Sequence, residues 1–159
     1  MSGPAGRDAA AAAEVYPVEA LVEVRFRDLD PMGHVNNAVY LTYLEVARAH
    51  YWRALGQTES AAIRTYVLAR AEIDYRSPVR LGDEILCGVR VEAFGRRSFT
   101  MRYRLRERRS GRLIATALTV QARFDYEAGT TREIEAESKR QVRAFEKREI
   151  PDRAGGGGA

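Results

Sequence analysis

A chain of 159 residues, 45% hydrophobic and 30% charged, is long enough for one compact domain and too short for two. It holds one cysteine (Cys87), two histidines (His34 and His50), two lysines (Lys139 and Lys147), and 26 basic against 22 acidic residues, for a formal net charge of +4. That set excludes an internal disulfide and a Cys₄ or Cys₂His₂ zinc site, and no GxSxG, GxxxxGKS/T or HExxH pattern occurs. No apolar run approaches the roughly 20 residues of a membrane span, and no leucine-rich signal segment opens the chain. A cytoplasmic protein with no membrane partner is the expectation.

Residues 1–15 are rich in Ala and Gly, and residues 149–159 in Gly, so both read as disordered tails around a single domain at 16–148. From Val18 to Arg27 the chain reads as a strand, with apolar and polar residues alternating from Val22 onward. Asp28 to Asn37 (DLDPMGHVNN) is a turn-forming run unsuited to strand or helix. From Ala38 to Leu55 the apolar residues Tyr40, Tyr43, Leu44, Ala47, Tyr51 and Leu55 recur at helical spacing, and Gly56 is a plausible stop. Leu41, Val46 and Trp52 widen the stripe, which predicts a helix buried within the domain. Strands follow at Tyr66–Asp74, Glu84–Glu92, Ser98–Arg106 and Leu113–Phe124. Phe94-Gly95-Arg96-Arg97 and Ser110-Gly111-Arg112 form the breaks between them. In the third of these strands Phe99, Met101, Tyr103 and Leu105 face one way and Thr100, Arg102, Arg104 and Arg106 the other. Residues 132–147 suggest an amphipathic helix on Ile134, Val142 and Phe145. The sum is an α+β fold, an antiparallel sheet curled around one long helix. Nine arginines between Arg90 and Arg112, against Glu92 and Glu107, read either as a solvated face or as a surface for phosphate-bearing ligands. No nucleic-acid motif accompanies them, so no nucleic-acid partner is expected.

The Asp28–Asn37 run carries the most chemistry. Pro31 restricts Asp30, Gly33 permits a left-handed kink, and Asn36 or Asn37 is a candidate N-cap for the helix. A carboxylate then lies near a helix N-terminus, whose free N–H groups and positive dipole end polarise a carbonyl oxygen. This is a general base beside an oxyanion site, the minimal equipment for acyl transfer to water. Taken alone, the same residues also fit a simple capping turn.

The stretch from Asp28 to Arg48, DLDPMGHVNNAVYLTYLEVAR, resembles the signature of the hotdog-fold acyl-CoA thioesterases related to 4-hydroxybenzoyl-CoA thioesterase, with their long-chain acyl-CoA and plant acyl-ACP branches. DYRSPVRLGDE from Asp74 to Glu84 and FGRRSF from Phe94 to Phe99 resemble two further family segments. The resemblance spans the whole folded unit in order. It implies a five-stranded antiparallel sheet around one central helix, and hydrolysis of acyl-CoA or acyl-ACP. Asp30 becomes the catalytic carboxylate and Asn37 marks the carbonyl-polarising N–H, with Gly33, Val35 and Asn36 around the thioester. His34 matches the His of the plant branch, whose Asn position is Met32 here. Arg96, Arg97 and Ser98 resemble a region that holds CoA phosphates. The resemblance further implies a homodimer or homotetramer and requires neither metal nor cofactor. A non-catalytic acyl-thioester-binding domain and a hotdog dehydratase are the alternatives.

Overall fold

The computed structural model describes residues 14–57 and 65–153. Strand β1 (Val18–Glu23) leads through a short 3-10 turn (Phe26–Asp28) and a loop into helix α1 (Val39–Ala54). Then come β2 (Tyr66–Tyr75), β3 (Glu84–Phe94), β4 (Ser98–Glu107), β5 (Leu113–Asp125), the two-residue β6 (Thr130–Thr131) and helix α2 (Ala136–Glu146). The five long strands form one antiparallel sheet in the order β1-β3-β4-β5-β2, and β6 pairs only with β5. Tyr40, Tyr43, Leu44, Ala47 and Tyr51 bury the core face of α1 on the concave side of the sheet. This is the hotdog architecture the resemblance implies.

The period-two pattern of β4 produces its two faces. Phe99, Met101, Tyr103 and Leu105 are buried, and Arg102, Arg104 and Arg106 lie half-buried on the opposite side. Thr100 departs from that division, being buried on the outer face. Cys87 packs in the core as a small hydrophobe, and burial pushes its thiol pKa up. Gly56 takes a left-handed φ of 83° and ends α1 as expected, its N–H bonding to the carbonyl of Arg53.

Three expectations change. The first strand does not reach Arg27: Asp28 draws the Arg25 amide and guanidinium toward itself, the backbone tightens into the 3-10 turn, and Phe26 is left 81% exposed. Helix α1 is not buried all round, because Leu41 on its outer flank is 40% exposed. At the ends, packing extends beyond 16–148: Glu14 accepts the Tyr16 hydroxyl at 2.9 Å and pairs with Arg90 at 3.3 Å. Tyr16 lies on Gly88, where any side chain would collide with its ring, and its own ring sits under the guanidinium groups of Arg90 and Arg104. Beyond α2, Ile150 is buried, and residues 151–153 run alongside the tip of β3, the Phe94 N–H bonding to the Pro151 carbonyl and the Arg153 N–H to that of Phe94. Residues 1–13 and 154–159 of the expected tails lie outside the described residues. No helix among the described residues is long and apolar enough to cross a membrane.

Candidate active site

The loop between β1 and α1 is built by its own residue types. Asp30, Pro31, Met32 and Gly33 form a turn closed by the Gly33 N–H on the Asp30 carbonyl, at 2.9 Å. Pro31 supplies the fixed φ of its second position, and Gly33 follows at φ 76°, a conformation costly for other residues. The Asp30 N–H then reaches the His34 carbonyl at 2.7 Å, and Leu29 bridges Val35. Inside this closed turn, Asp30 Oδ1 accepts the N–H groups of Met32 (2.8 Å) and His34 (3.2 Å). Among the described residues no donor reaches Asp30 Oδ2. The carboxylate is thereby oriented through one oxygen and available through the other.

Asp28 has a different environment. It is 2% exposed, and its carboxylate accepts the Arg25 amide (2.9 Å), the Arg25 guanidinium (2.9 Å) and the Tyr43 hydroxyl (2.9 Å). All of its acceptor capacity is directed inward. Burial alone would raise its pKa, but the hydrogen bonds from the Arg25 side chain, the Arg25 amide and Tyr43 hold the carboxyl below its usual range. Of the two carboxylates that the sequence sets two residues apart, only Asp30 keeps an oxygen without a donor among the described residues. Sequence reasoning treats Asp28 as a turn residue, and the only available signal is the phenol at Tyr43, fifteen positions on and otherwise an ordinary member of the core stripe.

The loop joins the helix through Asn36. Its N–H bonds to the Asp28 carbonyl (2.8 Å), its Oδ1 accepts the Ala38 N–H (2.9 Å), and its carbonyl accepts that of Val39 (2.9 Å). The N-cap position itself is Ala38, already helical and without a side-chain cap, so Asn36 caps the lead-in turn and Asn37 caps nothing. The Asn37 N–H has no acceptor among the described residues and lies at the positive end of the α1 dipole. Asn37 is exposed, and its carbonyl accepts the hydroxyl of Tyr75, at 2.9 Å. Val35 is buried and anchored by its N–H to the Val79 carbonyl, at 2.8 Å. His34 is half-buried, and its imidazole has no hydrogen-bond partner among the described residues.

Asp30, Gly33, His34, Val35, Asn36 and Asn37 thus converge at one end of α1. The loop carries a carboxylate with one oxygen unbonded and, seven residues on, a backbone N–H without an acceptor among the described residues. Residues 24–152 match the thioesterase-like superfamily. The chain belongs to that superfamily. It is 31% identical to YsmA of Bacillus subtilis (strain 168) over 68% of this chain and 73% of that protein. It is 29% identical to the long-chain acyl-CoA thioesterase FadM of Escherichia coli (strain K12), over 64% and 78% respectively. A crystal structure of a thioesterase from Thermus thermophilus, complexed with coenzyme A and Zn, superposes with a TM-score of 0.77 at 38% identity, covering 85% of this chain and 98% of that one.

Arg96, Arg97 and Ser98 are not brought to this superfamily loop. They form the β3–β4 turn, at the opposite end of β3 from Glu84, and an eleven-residue strand spans about 35 Å. Arg96 pairs there with Glu133, and Arg97 donates to the Thr131 hydroxyl. The arginine concentration is also counter-charged. Arg90 and Arg102 meet Glu92, Arg106 meets Glu19, Arg108 and Arg109 meet Glu84, and Arg112 meets Asp83. Among the described residues no three His, Cys, Asp or Glu side chains gather as metal ligands.

Proposed function

We infer that the chain hydrolyses acyl-CoA-type thioesters, with Asp30 as the general base and the Asn37 N–H as the oxyanion donor. The observation that carries this is the contrast between two neighbouring carboxylates. Asp28 is consumed by Arg25 and Tyr43, whereas Asp30 is held by one oxygen and leaves the other open beside a helix N-terminus. Asp30 Oδ2 takes a proton from water as the water attacks the thioester carbonyl. The Asn37 N–H, aided by the helix dipole, holds the charge that develops on the carbonyl oxygen, and collapse of the tetrahedral intermediate expels the thiolate. His34 borders the same space and serves as a secondary helper, while Gly33, Val35 and Asn36 shape the wall around the acyl carbonyl. A cytoplasmic setting, where the buried Cys87 stays reduced, goes with this reading.

The working unit in this reading is a homodimer. β2 is an edge strand of ten residues whose outer edge has no partner among the described residues. Its middle reads Arg70-Ala71-Glu72. Antiparallel self-pairing centred on Ala71 sets Arg70 of each copy against Glu72 of the other, a self-complementary arrangement suited to two-fold symmetry. The same pairing lays the β3–β4 turn end of one sheet alongside the loop end of the other. Arg96, Arg97 and Ser98 of one copy are then the candidate ligands for CoA phosphates of a thioester bound at the loop of its neighbour.

The test is thiol release from a panel of acyl-CoA and acyl-ACP thioesters by the wild type and by Asp30→Asn. The variant is expected to lose on the order of 10²–10⁴-fold in kcat with little change in KM. Unaltered turnover in a folded variant would remove Asp30 from the mechanism, and acyl-CoA binding without thiol release by the wild type would make the domain a binding module.

A further inference from the structure

Every backbone group flanking the Asn37 amide is tied. On its N-terminal side, the Asn36 N–H is held by the Asp28 carbonyl and the Asn36 carbonyl by the Val39 N–H. On its C-terminal side, the Ala38 N–H is held by Asn36 Oδ1, and the Asn37 carbonyl is held, among the described residues, by one group only, the hydroxyl of Tyr75 at 2.9 Å. Tyr75 does not belong to the loop or to α1. It is the last residue of β2, on the edge strand, facing the helix side of the sheet opposite Ala115 of β5. Its ring is fixed by an edge contact with Tyr40 of α1, centroids 4.9 Å apart at an interplanar angle of 87°. The phenol thus rests edge-on against Tyr40 and donates its hydrogen to a carbonyl in the turn before α1.

We infer that Tyr75 is a positioning residue for thioester hydrolysis: its hydroxyl pins the Asn37–Ala38 peptide and so holds the adjoining Asn37 N–H on the developing oxyanion. The inference rests on the proposed role of the loop and adds to it a residue from another element. An oxyanion donor is effective because it needs no reorientation when charge develops. A peptide free to rock about its neighbouring dihedrals loses that advantage without losing substrate affinity. Packing alone gives no reason for a hydroxyl here, since Tyr75 is 45% exposed and a water could satisfy both it and the Asn37 carbonyl. Its position on the β2 edge also links the oxyanion site to the strand proposed to pair between copies, so the amide is held correctly only when that edge is ordered.

The test is Tyr75→Phe, which keeps the ring and its contact with Tyr40, assayed beside Asp30→Asn. Tyr75→Phe is expected to lower kcat about tenfold with KM within about twofold of the wild type's. The pH at half-maximal kcat and the Tm are expected to stay where they are, because the Asp30 carboxylate is left in place and no buried group is removed. A kcat equal to the wild type's, a rise in KM alone, a moved pH midpoint, or a kcat loss that tracks a lower Tm would each overturn the inference. The two readings fail separately. A fully active Tyr75→Phe beside an inactive Asp30→Asn overturns only the role of Tyr75, whereas a fully active Asp30→Asn overturns the reading of the loop itself.

Discussion

Asp28 gives up its hydration and takes in return the Arg25 amide, the Arg25 guanidinium and the Tyr43 hydroxyl. The exchange favours the ionised form, so its folded pKa lies below the unfolded value of about 3.9. A depressed carboxyl pKa contributes stability that is complete above the unfolded value and lost as pH falls through the folded one. Replacing Asp28 with Asn is expected to cost about 1–3 kcal/mol at neutral pH, because the Arg25 donors then face a neutral amide in a buried site. The variant should close part of that gap at pH 3. Urea melts at pH 7 and pH 3 check this, and a difference from the wild type that is equal at both would show that Asp28 does not titrate on acid unfolding. Tyr43 is affected from the other side: burial, and then its bond to the Asp28 carboxylate, push its phenol pKa up. The different environments of Asp28 and Asp30 are not legible in the local pattern of D-x-D-P: the resemblance singles out Asp30, but the phenol from α1 that engages Asp28 shows only in the fold.

Among the elements, α2 is tied to α1 and β3 through one buried carboxylate, besides its apolar packing and its ion pairs with Asp152. The Glu146 side chain is fully buried, accepting the Tyr51 hydroxyl (2.7 Å), the Val91 N–H (2.7 Å) and Arg148 Nε (2.8 Å). The pairing of β3 with β4 shifts register just past Val91, and it is beside this bulge that the Val91 N–H turns to Glu146. Glu146 therefore joins α1, β3 and the C-terminal segment at one point, and Glu146→Ala is expected to cost about 3 kcal/mol by stranding those donors. Hydrogen exchange should quicken in α2 and around Val91 while the amides of β4 keep their protection; unchanged exchange in α2 would mean that apolar packing of Val142 and Phe145 alone retains the helix. Local periodicity makes α1, β4 and α2 readable, because each buries one stripe or one face whatever its neighbours are. The end of β1, the packing of residues 149–153 and the Glu146 contact are not readable, because each depends on partners that periodicity does not register, most of them tens of residues away. Resemblance groups Arg96, Arg97 and Ser98 with the loop, and the length of β3 separates them within one chain.

At the scale of the whole molecule, the charge pattern of β2 makes the proposed dimer testable. Arg70→Glu sets Glu against Glu72 across the two-fold axis, and Glu72→Arg sets Arg against Arg70. Each single change is expected to shift sedimentation toward the monomer at micromolar concentration, and the double exchange to restore the dimer. Monomer formation by the double exchange as well would rule out this register. A last consequence comes from the far end of α1. Trp52, the only tryptophan in the chain, is 8% exposed, stacked on Tyr66 at 5.5 Å and met edge-on by Phe99. Its indole belongs to a cluster that joins α1, β2 and β4, at the opposite end of the helix from Asp30 and Asn37. The molecule therefore carries a built-in optical probe of its core, insensitive to chemistry at the loop. A variant that is silent in the assay yet keeps the blue-shifted emission of a buried indole has lost a reaction and kept its fold.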